Sequence, residues 1–343
     1  MINPYNDVDW SHDEQIISVS HAHTAMDSYY SESQQQLFFQ RVVDGGVRHF
    51  ALSNYYPSAT RYPLSDFYQN IPSNAISCPN AEQHNFAEYS AMHINSLGSF
   101  FTSGSVRDYV DGHWVPRTPI GVNKATWQTI FPQIFAQLQY ADGGGVTINH
   151  PAWSNLTDEV VIDMLDFDNR VLGIEIYNQS CELQNQTGWC LDWWDRILAT
   201  GRKCWGFAVP DHTAEQGRNP WLGRNVLLVS EATEHECLKA YREGRFYSRL
   251  DNTSLKFTNI SYVDDMFSVT TEGANNITII IDGQSTVYSG NSAIVRVPTG
   301  SVYIRAEAQS IDDQIFSNAI TLREKGENGN RLVSLSTRNI LLY

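Results

Sequence analysis

Groups that bind metal ions recur at a spacing of two residues in two segments of the chain. His21 and His23 lie in SVSHAHT, and Glu82 and His84 lie in PNAEQHN. Side chains at positions i and i+2 leave the same face of a β-strand. Each pair therefore places two metal-binding groups side by side, although two surface or core histidines would show the same spacing.

Other apolar runs end in residues of the same chemical type. His93 lies in AMHINSLGS, His150 lies in TINHPAW, and Asp211 and His212 lie in GFAVPDHT. Parallel α/β folds place their sites at the carboxyl ends of their strands, so we expect these side chains to converge. The structural alternatives are a polar cluster that holds strand ends together by hydrogen bonds and, for His93, a satisfied core histidine.

This donor set predicts metal-assisted hydrolysis. Imidazole and carboxylate ligands without thiolate suit Zn, Mn or Fe, and a carboxylate can bridge two such ions. Water bound to these ions ionises near neutral pH, and the ions neutralise charge that develops on a phosphoryl oxygen. Glu175, in GIEIYN, is expected to orient a histidine rather than to bind metal. The sequence contains no GxSxG, Walker, strand-linked GxGxxG or HExxH motif that would indicate another chemistry.

Over residues 16–250, short apolar runs alternate with amphipathic stretches. Strands are predicted over residues 17–23, 49–55, 75–83, 91–97, 146–151, 171–177, 203–211 and 225–229. Helices are predicted over residues 34–44, 127–141, 157–165, 191–200 and 232–243, and most of them end at glycine. The alternation predicts an α/β fold with a mostly parallel sheet, either open or closed into a barrel.

The pattern changes after Tyr247. Alternating strand patterns occupy residues 255–257, 277–281, 293–297, 302–306 and 319–322. They predict a small antiparallel β-sandwich, followed by a polar linker over residues 324–330 and an apolar tail over residues 331–343 that packs back as a strand. We therefore expect two domains, a metal-binding domain over residues 1–250 and a β-sandwich with its tail over residues 251–343.

Composition excludes several classes of partner. The 343 residues carry 38 acidic and 23 basic side chains, giving a formal net charge of −15. This balance disfavours a long nucleic acid or an anionic membrane surface as partner, and it suits a protein that collects divalent cations. No apolar run approaches the roughly 18 residues that span a bilayer. The five cysteines lack zinc-finger or CxxC spacing, so reduced thiols and a cytoplasmic location are expected, unless a signal peptide was removed.

The motifs, in this order, resemble the PHP family, named for the domain shared by bacterial DNA polymerases and histidinol phosphatase. SVSHAHTAMDS resembles its opening HxHT segment, and GVRHFALSNYY occupies the place of its TDH strand. PNAEQHN resembles the strand with the bridging glutamate, AMHINSLGS the HxxG strand, TINHPAW the HP motif and GIEIYN the next strand. WDRILATGRKCWGFAVPDHT resembles the helix and strand that end in DxH, and HECLKAYREGRFYS the closing helix.

This resemblance implies a distorted (β/α)7 barrel, of TIM-like type, with two or three metal ions and phosphoesterase activity. It implies that Glu82 bridges two ions and that Asp211 shares the first of them with His21 and His23. His93 and His150 would bind another ion.

Two positions depart from the family pattern. Tyr55 stands where the TDH strand has its histidine, and Thr213 stands where the DxH motif has one. His84 and His212 are candidates to replace the missing ligands, and fewer ions than in the family are expected here.

These features predict a metal-dependent hydrolase of phosphoesters. Glu82 and Asp211 are the predicted catalytic residues, and the substrate class is a small-molecule phosphomonoester or phosphodiester. The alternative is a catalytically degenerate PHP-like barrel that acts as a carbohydrate- or protein-binding module. The sequence identifies neither the particular substrate nor an oligomeric state.

Overall fold

The computed structural model of the chain describes residues 1–24, 32–55, 59, 61–84, 86–89, 91–101, 107–110, 113–116, 125–212, 221–250 and 255–324. Thr213 and the predicted C-terminal tail over residues 331–343 lie outside these ranges. The elements below are numbered in chain order.

The first twelve strands belong to the part of the chain that carries the candidate site. They are β1 (Glu14–Ala22), β2 (His49–Leu52), β3 (Ile76–Cys78), β4 (Glu82–Gln83), β5 (Ile94–Leu97), β6 (Arg107–Val110), β7 (His113–Pro116), β8 (Gly145–Ile148), β9 (Val171–Asn178), β10 (Trp205–Val209), β11 (Arg224–Val229) and β12 (Phe246–Leu250).

Within the described ranges, helices accompany these strands, together with a short 3-10 helix over Leu64–Asp66. They are α1 (Glu32–Asp44), α2 (Trp127–Ala136), α3 (Asp158–Phe167), α4 (Gln179–Asn185), α5 (Leu191–Leu198) and α6 (Glu234–Glu243). No helix in the described part of the chain is long and apolar enough to cross a membrane.

Eight strands follow. They are β13 (Lys256–Val263), β14 (Met266–Glu272), β15 (Asn276–Ile281), β16 (Gln284–Ser289), β17 (Ser292–Arg296), β18 (Tyr303–Gln309), β19 (Gln314–Ser317) and β20 (Ile320–Thr321).

Two sheets meet where β1 and β10 end. In the first sheet, β1 is parallel to β2 and antiparallel to β11, and β2 is parallel to β3. In the second sheet, β8, β9 and β10 are parallel, whereas β5 is antiparallel to both β8 and β4. The backbone N–H of His23 donates to the Asp211 carbonyl at 3.3 Å, and that of Asp211 donates to the His21 carbonyl at 3.1 Å. These bonds join the two sheets at the candidate site.

The predicted closed (β/α)7 barrel is not evident in the described residues. A barrel of βα units needs parallel neighbours joined by helical crossovers. Here β4 and β5, β1 and β11, and β11 and β12 are antiparallel neighbours. Among the described residues, pairing between β1 and β10 is a single bridge at Ala22 and Asp211. The fold is mixed α/β, with strands in the majority.

Local sequence signals placed most elements well. Each of the eight predicted strands before residue 250 overlaps an observed strand, and residues 75–83 divide into β3 and β4. Thr157 caps α3 through its side chain, which accepts a hydrogen bond from the Val160 N–H, and α6 ends at Gly244 with φ 76°. Helix α2 ends at Ala136, five residues before the predicted end, because the chain then turns and Leu138 pairs with Ser99.

The C-terminal strands form two layers over one apolar cluster. One layer is the sheet β13-β14-β17, and the other contains β16, β15, β18 and β19. Between them lie buried side chains that include Phe257, Phe267, Ile277 and Ile304. This layering agrees with the predicted antiparallel β-sandwich. Strands β14, β16 and β19 were not predicted. Strand β16 is largely exposed, β19 has four residues, and the buried face of β14 includes the polar Thr271, so none of them shows a long apolar alternation.

The second layer continues into the sheet of the candidate site. Strand β12 is antiparallel to β19, so the ten-stranded sheet crosses residue 250 without interruption. Val226, Leu228 and Tyr247 of β11 and β12 contribute to the same apolar cluster as the sandwich strands. The predicted boundary therefore lies at the end of β12, which pairs with β11 on one side and with β19 on the other.

A buried ion pair fixes α5 against this sheet. Arg305 on β18 is 2% exposed and donates two hydrogen bonds of 2.8 Å to the carboxylate of Asp195 on α5. It also pairs with Glu307, and the hydroxyl of Tyr303 donates to Asp195 at 2.8 Å. Removing one partner from such a network leaves charge buried without compensation.

We predict that Arg305→Ala lowers the free energy of unfolding by about 3 kcal/mol, because two carboxylates then lose their shared cation. Lys256→Ala is the matched control: its exposed ion pair with Glu272 should contribute at most about 1 kcal/mol. Urea denaturation of both variants measures the difference. Equal losses would contradict the structural role of Arg305.

Candidate metal centre

Six of the eight predicted metal ligands converge at one edge of the two sheets. They form two groups whose ligand atoms lie within 4.8 Å of one another; one group is His21, His23, Glu82 and Asp211, and the other is Glu82, His93 and His150. Most of these residues lie at or just beyond the carboxyl end of a strand. His93 instead precedes β5, and it reaches the same edge because β5 runs antiparallel to its neighbours.

The first group places two imidazole nitrogens and two carboxylates around a common point. The Nε2 atoms of His21 and His23 are 3.0 Å apart. Asp211 Oδ1 lies 3.1 Å from Nε2 of His21 and 3.3 Å from Nε2 of His23. Glu82 Oε2 lies 3.1 Å from Nε2 of His23. Four potential ligand atoms, all on buried residues, thus face one another.

The second group is built on the other oxygen of Glu82. Its Oε1 atom lies 3.0 Å from Nδ1 of His93 and 3.3 Å from Nε2 of His150. The side-chain amide of Asn149 donates to the same oxygen at 3.0 Å. Glu82 therefore directs one carboxylate oxygen toward each group, as a carboxylate that bridges two ions does.

The residues present fit a divalent cation. Two buried carboxylate oxygens, Glu82 Oε2 and Asp211 Oδ1, make no well-aligned hydrogen bond with the described residues, although imidazole Nε2 atoms lie 3.1–3.3 Å from them. Ligands held at about 2.0–2.1 Å by a tetrahedral ion are roughly 3.3 Å apart, close to the separations in the first group. A cation at this point would satisfy both oxygens and separate the facing imidazole nitrogens.

Electrostatics of the bare site lead to the same conclusion. Burial alone lowers the pKa of His21, but the carboxylates of Asp211, Glu82 and Glu175 outweigh it and raise that pKa well above its ordinary value. Burial alone would raise the pKa of Glu82, yet His21 and His93 hold it well below its ordinary value. The pKa of Asp211 is likewise held low, despite burial, by His21 and His212. The site attracts positive charge, which a proton or a metal ion supplies.

The two histidines of the second group differ in the direction of their pKa shifts. Burial dominates for His93 and lowers its pKa, which favours the neutral imidazole that binds metal. For His150 the hydrogen bond to Glu82 and the charge of Glu175 outweigh burial, and its pKa is raised.

Glu175 connects the two groups from behind, as the sequence predicted for a residue that orients a histidine. Its Oε1 atom accepts a 2.7 Å hydrogen bond from Nδ1 of His21. Its Oε2 atom accepts from the backbone N–H of His150 at 2.8 Å and from the amide of Asn178 at 2.9 Å. Asn178 also donates to Oδ2 of Asp211 at 3.0 Å. One buried carboxylate and one amide therefore position three of the candidate ligands.

His84 and His212 lie beside the two groups and belong to neither of them. His212 stacks on His23 with ring centroids 3.8 Å apart, and its Nε2 atom is 3.4 Å from the Tyr55 hydroxyl and 3.7 Å from Oδ1 of Asp211. The ring of His84 is 4.4 Å from that of Tyr55. Tyr55 thus occupies the space beside His23, His84 and His212, where the family resemblance places a histidine ligand.

Sequence reasoning missed several residues that support the site. Asn149 and Ser154 flank His150, and the Ser154 hydroxyl lies 3.2 Å from Nδ1 of His150. The only sequence signal for them was their proximity to the HP motif. Trp153 packs edge-on against His150 and is tilted against His93, and 36% of the residue is exposed, so it borders the site. Trp221 is 2% exposed and packs on Phe38.

Comparisons with known proteins give distant similarities to solved structures. No family model and no curated protein matches the chain. Among solved structures, a two-domain protein from Bacteroides vulgatus ATCC 8482, described as containing a predicted PHP-like metal-dependent phosphoesterase, matches at 11% identity. The match covers 94% of this chain and 97% of that chain, with a TM-score of 0.43. A similarity of this strength assigns neither fold nor function.

We predict that Glu175→Gln weakens the binding of Zn²⁺ or Mn²⁺ by about 10–100-fold, as loss of a group that orients a ligand does. A glutamine cannot accept hydrogen bonds at both of its side-chain atoms, so either His21 or the His150 backbone loses its acceptor. Calorimetric titration of the metal-free protein measures the effect. Glu159→Gln, in the exposed first turn of α3, is the control. Unchanged affinity in a folded Glu175→Gln protein would show that Glu175 does not position the ligands.

Proposed function

We propose that this protein is a metal-dependent phosphoesterase that hydrolyses a small-molecule phosphoester. One observation carries the proposal: Glu82 is shared between two buried groups of ligands, each containing two histidines. A polar cluster that served only to hold strand ends together would pair its donors and acceptors, and here two carboxylate oxygens make no well-aligned hydrogen bond in the described residues.

In this proposal His21, His23, Glu82 and Asp211 hold one divalent ion, and Glu82, His93 and His150 hold a second. Zn, Mn and Fe suit these ligands. When bound, such ions lower the pKa of coordinated water and stabilise the negative charge that develops on a phosphoryl oxygen. Because Tyr55 stands beside His23 in place of a histidine, we propose one or two tightly bound ions rather than three.

The chain's own residues prepare these ligands. Glu175 can only accept a hydrogen bond from His21, so Nδ1 of His21 carries the proton and the Nε2 lone pair faces the site. Ser154 can accept from Nδ1 of His150 in the same manner, which directs Nε2 toward Glu82. Asn178 holds Asp211 Oδ2 and leaves Oδ1 for the ion.

The ordered motifs and this ligand arrangement together support a PHP-like enzyme. We infer that the two sheets joined at His23 and Asp211 are a strongly distorted form of the family's barrel, in which β5 and β11 are reversed. The metal centre belongs to residues 1–250 in this proposal, and the C-terminal sheet supports it by continuing β11 and β12. The alternative, a degenerate binding module, predicts bound metal or an empty site without turnover.

The experiment that tests the function combines metal analysis with a panel of phosphomonoesters and phosphodiesters. We predict that protein purified without chelators contains divalent metal and hydrolyses at least one member of the panel. Glu82→Ala should lose both metal and activity, because the shared carboxylate contributes to both groups. Glu88→Ala, which removes an exposed carboxylate six residues along the chain, should keep both. Full activity of Glu82→Ala, or metal without any turnover across the panel, would overturn the proposal.

A second prediction concerns the nucleophile. Ser154, His150 and Glu82 form a chain of contacts, with 3.2 Å between the Ser154 hydroxyl and Nδ1 of His150 and 3.3 Å between Nε2 of His150 and Glu82. The two nitrogens are exchanged relative to a serine hydrolase, in which the serine faces Nε2. In our proposal Ser154 only orients the His150 ring, and water attacks phosphorus directly. Ser154→Ala should therefore keep activity within about 10–100-fold of the original, with the loss traceable to weaker metal binding.

Two measurements separate these roles. Hydrolysis of a substrate made chiral at phosphorus with oxygen isotopes should invert the configuration, because water attacks once, whereas two displacements through Ser154 would retain it. Added metal should restore much of the activity of Ser154→Ala. A phosphoryl group trapped on Ser154, or an inactive variant with full metal content, would instead identify Ser154 as the nucleophile.

A further inference from the structure

A cavity lies at the amino end of α5, and none of its lining residues belongs to the candidate metal centre. It has a volume of about 450 Å³ and is lined by Trp189, Cys190, Leu191, Asp192, Trp193 and Arg196. This volume lies within the range of small-ligand sites, which combine apolar walls with a few polar groups.

Trp189 forms an exposed and firmly held wall of this cavity. Its neighbours are fixed to β9, since Cys190 N–H donates to Ile176 and Gly188 accepts from Asn178 N–H, both at 2.9 Å. Its ring packs 4.7 Å from that of Tyr177, yet 42% of the residue is exposed. A large aromatic surface held rigidly at the protein surface is suited to stacking against a ligand at low entropic cost.

Trp193 supplies an unsatisfied donor in the same cavity. The residue is 9% exposed, and its Nε1–H is buried without a hydrogen-bond acceptor in the described residues. Buried indole N–H groups usually have a partner. Cys190, at the N-cap of α5, also provides no side-chain hydrogen bond to the helix end. Hydrogen-bond donors therefore remain beside the aromatic wall.

Charge in the cavity disfavours an anionic ligand. The guanidinium of Arg196 is held by the carboxylate of Asp158 through two hydrogen bonds of 2.9 Å. The other charged lining residue, Asp192, is an exposed carboxylate. An incoming phosphate or carboxylate would meet one neutralised cation and one repelling anion.

We propose that this cavity binds a neutral saccharide. A pyranose ring presents a face of C–H groups that can stack on Trp189, and hydroxyl groups at its edge. One hydroxyl oxygen accepts a hydrogen bond from Nε1–H of Trp193 after a small rotation of the indole opens this buried group to the cavity, and another hydroxyl donates to the carboxylate of Asp192. The inference rests on these residues alone and does not depend on the metal centre or on phosphoesterase activity.

The test is binding of the full-length protein to a glycan array, followed by solution titration with maltose, cellobiose, diacetylchitobiose and lactose at millimolar concentrations. Ligand-observed NMR and tryptophan fluorescence report binding, with metal present and absent. We expect saturable binding of at least one neutral saccharide, and Trp189→Ala should weaken it at least about tenfold. Phe67→Ala, which removes another exposed aromatic ring, should leave it unchanged.

Trp193→Phe provides a second variant, because it keeps an aromatic ring and removes the buried donor. Weaker saccharide binding in this folded variant supports the hydrogen bond to Nε1–H. Saccharide binding that Trp189→Ala leaves intact would overturn the proposal, as would the absence of saturable binding across the array and the titrations. Either result leaves the phosphoesterase proposal unaffected, since its own test relies on metal content and turnover.

Discussion

Glu82 places a carboxylate where two sheets meet, with 1% of the residue exposed and one oxygen directed toward each group of histidines. Removing a carboxylate from water is costly unless opposite charge or hydrogen bonds replace the lost hydration. Imidazoles from β1, from the start of β5 and from the end of β8 surround it, so this compensation requires all three strands to be in place. Closure of the sheets and assembly of the site are therefore one event.

Behind the ligands, a layer of amides and carboxylates restricts what the site can bind. Glu175, Asn149 and Asn178 use their hydrogen-bonding capacity to fix ring orientation and carboxylate direction. The atoms left over are Nε2 of His21 and His23 and one oxygen each of Glu82 and Asp211. When the imidazoles are neutral their lone pairs face the carboxylate oxygens, and a proton or a metal ion between these atoms removes the repulsion. This balance explains why the pKa of His21 is raised and the pKa values of Glu82 and Asp211 are lowered.

The C-terminal strands extend the sheet that carries the site. Pairing of β12 with β19, the shared apolar cluster and the Arg305–Asp195 ion pair connect the two parts of the chain. The boundary at residue 250 was predicted because the pattern of alternating strands and helices gives way there to strand patterns. Strands β12 and β19, on the two sides of this boundary, pair with each other, and a local sequence pattern does not indicate which strands pair.

Residue type and spacing determined which side chains are available to the candidate metal centre. His21 and His23 at alternate positions, and Glu82, His150 and Asp211 near the ends of apolar runs, predicted a cluster of imidazole and carboxylate groups, since strand periodicity is a local property. Only the tertiary structure decided that β5 runs antiparallel and so brings His93 to the cluster from its amino end. It also decided that His84 and His212 stay outside both groups, and that Ser154 and Asn178 serve them. Strand direction and contacts between distant segments depend on the packing of the whole chain, which no local pattern encodes.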